Sequence, residues 1–258
     1  MPKEKLDVAF EQVLQNGDKA FVPYIMAGDG GLDQLNEQIS FLEVCGATAV
    51  EVGIPFSDPV ADGPTIQKAG IRALQQGVTL KKVLETLKLV KEERTIPIVV
   101  MTYFNPIYAI GIEVFAALCN HAGVDGLIIP DVPLEEEGII TEYLTKNDIA
   151  FVRLATLTST ADRVEEIINR TEGFLYAVTV TGTTGQRATF KDNLAEHLQL
   201  LQKKSTVPVL AGFGVSTPEQ VKELSAHCDG VVVGSRIVDL LHEKNHDEIR
   251  KLIHAAKK

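Results

Sequence analysis

Eight short, nearly continuous apolar runs alternate with segments of helical periodicity along this chain, and no other feature limits its fold so sharply. The runs are FVPYIMA (21–27), TAVEVGI (48–54), IPIVVMTY (96–103), DGLIIP (125–130), IAFVRLA (149–155), FLYAVTV (174–180), VPVLAGF (207–213) and GVVVGS (230–235). A strand that is apolar on both sides suits a sheet buried on both faces, which is a parallel sheet covered by helices. The intervening segments supply the helices. Leu32, Leu35, Ile39 and Leu42 form one stripe, Leu80, Leu84, Leu87 and Val90 a second, and Leu194, Leu198 and Leu201 a third. These stripes predict helices over 32–45, 80–93 and 191–203. Thr217-Pro218-Glu219-Gln220 reads as a helix start with a capping box and a proline at the first helical position.

About eight strand–helix units in 258 residues have the size and order of a (β/α)₈ TIM barrel. The expectation is a single α/β domain over 1–258, with a leading helix (4–15) and an extra helix (64–76) after the second strand. An open doubly wound sheet is the rival, but it places its glycine-rich loop after the first strand. Here the glycine-rich loops follow the sixth, seventh and eighth runs, where barrels often hold phosphate.

Composition narrows the function further. The net charge of −10 argues against a nucleic-acid partner. No apolar run nears the ~20 residues of a membrane helix, and the start MPKEKLDVAF lacks a signal-peptide pattern. Cys45, Cys119 and Cys228 are far apart, with no metal-ligand spacing. Buried reduced thiols and a cytoplasmic location are expected.

A barrel carries its chemistry at the C-terminal ends of its strands. The six histidines and the lysines fall elsewhere, which removes a histidine-based metal site and a Schiff-base lysine from the expectation. The polar residues left at that end are Glu51, Asp58, Asp62, Tyr103, Asn105, Asp131, Tyr176 and Thr184. They suit proton transfer and hydrogen bonding. Glu51 is the most informative. Strand alternation puts it inside the barrel if Val50 and Val52 face the helices, and burial raises a carboxyl toward the range of a general acid. Asp62 by its spacing alone reads more readily as a plain helix cap before Gly63-Pro64, and Asp131 is compatible with a turn before Val132-Pro133.

TGTTGQR (181–187), GFG (212–214) and GS (234–235) form three glycine-rich loops at neighbouring strand ends. Backbone N–H groups there can cradle a phosphate. The residues alone therefore indicate a metal-free lyase or isomerase acting on a small phosphorylated substrate.

EVGIPFSDPVADGPTIQ (51–67), MTYFNPI (101–107), GLIIPDVPLEE (126–136), LAGFGVS (210–216) and VVVGS (231–235) resemble the tryptophan synthase α-subunit family, in the family's order, from about residue 20 to 240. The resemblance implies cleavage of indole-3-glycerol phosphate to indole and glyceraldehyde 3-phosphate. It implies Glu51, Asp62 and Tyr176 as the catalytic residues. Thr184, Gly185, Gly214, Gly234 and Ser235 are implied at the substrate and its phosphate, and Tyr103, Asp131 and Phe213 at the pocket and lid. Thr183 departs from the apolar residue implied at that loop position. The resemblance also implies a β subunit, expected in an α2β2 assembly, which carries pyridoxal phosphate, while this chain needs no cofactor and no metal. The loop Pro55, Phe56, Ser57, Asp58 and Pro59 is expected to face that partner. Alternatives are a stand-alone lyase on the same substrate, a phosphosugar isomerase and a non-catalytic regulatory barrel.

Overall fold

The computed structural model describes residues 2–179, 187–212 and 214–258, with side chains described for 3–179, 194–212 and 214–258. Thr184, Gly185 and Phe213, and residues 181–186 of the glycine-rich loop TGTTGQR, lie outside that description. Helix α1 (Pro2–Gln15) leads into β1 (Ala20–Met26). A 3-10 turn (Leu32–Gln34) and α2 (Leu35–Val44) precede β2 (Val50–Gly53), and α3 (Pro64–Gln75) and α4 (Leu80–Leu89) follow it. Then come β3 (Ile98–Met101), α5 (Phe104–Ile110), α6 (Ile112–Ala122), β4 (Gly126–Ile128) and α7 (Gly138–Lys146). After β5 (Ala150–Phe151) and β6 (Arg153–Thr156) come α8 (Ala161–Arg170), β7 (Leu175–Val178), α9 (Arg187–Lys204) and β8 (Val209–Gly212). The chain continues through α10 (Pro218–Ser225), β9 (Gly230–Val233), α11 (Ser235–His242) and α12 (His246–His254).

Among the described residues the strands hydrogen-bond in the order β5-β4-β3-β2-β1-β9-β8-β7-β6. Every pairing is parallel. The two ends of this order, β5 and β6, are consecutive and separated only by Val152. Val152 N–H still donates to Leu127 O at 2.9 Å, so one extended segment pairs with β4 at its start and with β7 at its end. The sheet thereby closes into an eight-position barrel, the expected fold. Within that segment the Arg153 guanidinium folds back onto Phe151 O at 3.0 Å, and its Nε donates to Glu137 of α7 at 2.7 Å.

The apolar stripes pack largely as their spacing predicts, except that Leu32 is half-buried in the 3-10 turn and Val90 half-buried beyond the end of α4. Leu35, Ile39 and Leu42 are buried on α2, Leu80, Leu84 and Leu87 on α4, and Leu198 and Leu201 on α9. Helix α4 stops at Leu89 rather than 93. Arg94 Nη1 takes Leu87 O at 3.1 Å, the carbonyl that another helical turn would have used. The Thr217–Gln220 capping box forms as written. Helix α1 lies at the N-terminal end of the barrel, with Leu6 and Phe10 buried and Phe10 against Phe174 at 5.4 Å between ring centres. The opposite end is left for chemistry. All three cysteines are buried free thiols. No helix among the described residues is long and apolar enough to cross a membrane.

Candidate active site

Strand register delivers Glu51 to the barrel interior. It pairs with Tyr24 of β1 on one side and Val99 of β3 on the other, while Val50 and Val52 pack outward beneath the helices. A cavity of about 200 Å³ opens above it at the C-terminal strand ends. Glu51, Asp62, Tyr176, Gly214, Gly234 and Ser235 all line this one cavity. Six residues nominated from four separate stretches of sequence thus meet in one place. Met101, Ile128, Leu154 and Ile66 supply an apolar wall. No histidine or lysine lines it among the described residues.

The two carboxyl groups differ. Glu51 is 4% exposed, and its Oε2 has no hydrogen-bond partner. Burial, and secondarily the charge of Asp62, push its pKa up to about 8. Asp62 is half-buried at the cavity rim. Burial lifts it to about 6, opposed by a hydrogen bond from the Tyr103 hydroxyl. Near pH 7 the site therefore holds a neutral Glu51 beside an anionic Asp62, one donor and one acceptor of protons. Asp62 is not a helix cap. Gly63 is the N-cap of α3, and no side chain bonds there.

Tyr103 stands behind Asp62 rather than on the cavity wall. It is buried, accepts from Ala61 N–H at 3.0 Å, and packs against Phe56 at 5.3 Å between ring centres. It fixes the loop that carries Asp62. Asp131 is exposed and accepts from Phe104 N–H at 3.0 and 3.1 Å, which caps the first turn of α5. Asn105 is exposed on α5, and Asp58 is exposed and bonded to Ser57 Oγ. In the loop at 55–59, Pro55 is buried, Phe56 and Pro59 half-buried, and Ser57 and Asp58 exposed. Tyr176 is buried, and its ring occupies space that only a glycine leaves open. A Cβ on Gly212 would lie 2.3 Å from the ring.

A sequence model described as "Tryptophan synthase alpha chain" matches residues 10–258, nearly the whole chain and every element of this site. The chain belongs to that family. The tryptophan synthase alpha chain of Oceanobacillus iheyensis is 58% identical over 253 residues, covering 98% of this chain and 97% of that one. The alpha chain of Bacillus mycoides is 52% identical over 257 residues, covering 100% and 98%. Among solved structures, tryptophan synthase subunit alpha from Legionella pneumophila superposes with a TM-score of 0.88 at 29% identity, covering 98% of each chain. Tryptophan synthase of Mycobacterium tuberculosis gives 0.89 at 28% identity over the same shares. The lyase activity expected from the sequence goes with membership of the tryptophan synthase alpha chain family.

Sequence reasoning missed several cavity residues: Tyr24, Val215, Ser216 and Arg236 among them. Tyr24 had a legible signal. It is the only residue with a polar side-chain atom in the run FVPYIMA. The others follow glycine turns whose direction no local pattern gives.

Proposed function

We propose that this chain, acting as one barrel domain, cleaves indole-3-glycerol phosphate with Glu51 as proton shuttle and Asp62 as the partner of the indole N–H. The observation that carries the reading is the meeting of buried Glu51, whose Oε2 has no hydrogen-bond partner, and half-buried Asp62 in one largely apolar cavity.

The neutral Glu51 carboxyl gives its proton to the ring carbon that bears the glycerol chain. Positive charge then develops at the ring nitrogen, and the Asp62 carboxylate stabilises it through the N–H. Glu51, now anionic, takes the proton from the hydroxyl on the adjacent side-chain carbon. The O–H electrons form the aldehyde C=O. The carbon–carbon bond breaks, and its electrons return to the ring as indole. Glu51 ends protonated, ready for the next turnover. Tyr176 packs beside the reacting atoms. The loops at Gly214 and Gly234, with Ser235 at the start of α11, hold the phosphate; Thr184, Gly185 and Phe213, implied by the resemblance at the phosphate and lid, lie outside the described residues. Tyr103 keeps Asp62 in place, and Asp131 supports the neighbouring helix.

The partner in this reading is a β subunit that carries pyridoxal phosphate, in an α2β2 assembly in the cytoplasm. Exposed Val60 and Tyr108, next to the loop at 55–59 and on α5, give that face apolar contact surface. The test is indole release by the wild type and Asp62→Asn, each with and without a β subunit. Wild-type release should rise with the partner, and Asp62→Asn should lose turnover by about 100-fold or more while still binding inorganic phosphate. Near-normal turnover of Asp62→Asn refutes the role of Asp62. No effect of saturating β subunit refutes the partnership and favours the stand-alone lyase.

A further inference from the structure

The reaction above gives no part to Tyr24, although its hydroxyl stands in the same cavity. Tyr24 and Glu51 are register partners on adjacent strands, so their side chains rise side by side. The tyrosine ring runs between two glycines. A Cβ on Gly234 would sit 3.7 Å from Tyr24 Cβ, and a Cβ on Gly53 would sit 1.9 Å from the Tyr24 oxygen. The ring therefore leans over β2 with its oxygen above Gly53, two residues beyond Glu51 on the same face. Tyr24 is 6% exposed. Its oxygen has no hydrogen-bond partner, and neither has Glu51 Oε2. Two buried polar atoms left unpaired in one cavity are costly, and a phenylalanine in place of Tyr24 would avoid half of that cost.

The chemistry supplies a reason to keep both. Resting on the reading of Glu51 as proton shuttle, Glu51 must pass through an anionic state in a buried, largely apolar site where Asp62 already repels it. Among the described residues, the titratable and charged groups that share the cavity wall with Glu51 are Asp62 after β2, Tyr24 on β1, Tyr176 on β7 and Arg236 on α11. Tyr103 is not on the cavity wall and stands behind Asp62, to which it donates a hydrogen bond. We propose that Tyr24 is a positioning residue for Glu51, its hydroxyl donating a hydrogen bond to Glu51 Oε2 in the anionic form that follows proton transfer. Burial and the two nearby carboxylates keep the phenol itself from ionising, so it donates without losing its proton.

The test is Tyr24→Phe, with the pH dependence of indole release measured beside the wild type and Glu51→Gln. The expected result is a fall in kcat of about 10- to 100-fold with KM nearly unchanged, the usual effect of losing a hydrogen bond to a charged group. The alkaline limb should move up by roughly one pH unit, because loss of the donor disfavours the anion. Stability to urea should be equal or higher, since the deleted oxygen has no partner, and this separates the effect from misfolding. Unchanged kcat, or a lower kcat with the alkaline limb unmoved, overturns the proposal. If Tyr24→Phe is silent while Glu51→Gln is inactive, the inference about Tyr24 fails and the shuttle stands. If Glu51→Gln keeps wild-type turnover, the shuttle itself falls and the inference with it.

Discussion

Replacing Glu51 with glutamine should stabilise the folded chain at neutral pH while it stops the reaction. In the unfolded chain Glu51 titrates near 4.5, and in the folded chain near 8. Its folded value is raised, so the folded state carries no penalty below pH 4.5 and loses stability as pH rises from there through 8. At about 1.4 kcal/mol per pH unit, the penalty is about 3 kcal/mol at pH 7 and levels off at about 5 kcal/mol above pH 8. Glutamine has nearly the same shape, does not titrate, and leaves the position of Oε2 equally without a partner. Urea unfolding of both proteins at pH 5, 7 and 8 measures the difference directly. Glu51→Gln should gain about 3 kcal/mol over the wild type at pH 7, and that gain should shrink to about 1 kcal/mol at pH 5. Equal stability at pH 7, or a gain that does not depend on pH, would refute the reasoning. Such a result would mean that Glu51 is ionised at no cost in the folded state. A residue kept against its own contribution to stability is the usual mark of an active site.

Other perturbations follow from the same geometry. The rate of indole release should be bell-shaped, falling below about pH 6 as Asp62 gains a proton and above about pH 8 as Glu51 loses one. Tyr103→Phe removes the hydrogen bond that holds Asp62 down, so the acid limb should move upward by roughly one pH unit. An unmoved acid limb contradicts the link between Tyr103 and Asp62. Arg153→Ala strips a partner from Glu137 in an ion pair whose side chains are only 9% and 10% exposed. It should cost about 3 kcal/mol in urea unfolding, and a change under 1 kcal/mol would show that Arg170 alone satisfies Glu137.

The barrel was legible because each strand is apolar on both sides and each helix shows only one stripe. That pattern has few solutions, and glycine placement chose among them. Glu51 was legible because an acid within VEVG is costly unless it is used. Asp62 was ambiguous, since the same residue type before Gly-Pro makes a good helix cap. Only the structure shows that Gly63 takes the cap and that Asp62 turns to Tyr103. The support given by Tyr103 depends on contacts between β3 and the loop after β2, which no local spacing encodes. Asp131 sits at the expected strand end, but its carboxylate is taken up by the backbone of α5. The role of Tyr24 depends on register and on the space left at Gly53, both properties of the assembled sheet.

The most direct test of the mechanism is the titration of Glu51 itself. Carbon-13 NMR of the side-chain carboxyl, assigned by comparison with Glu51→Gln, reports its protonation without relying on rates. A midpoint near 8 is the expected result, and it would place a neutral acid in the cavity at the working pH. A midpoint near 4.5 would leave Glu51 ionised at neutral pH and contradict its role as the proton donor.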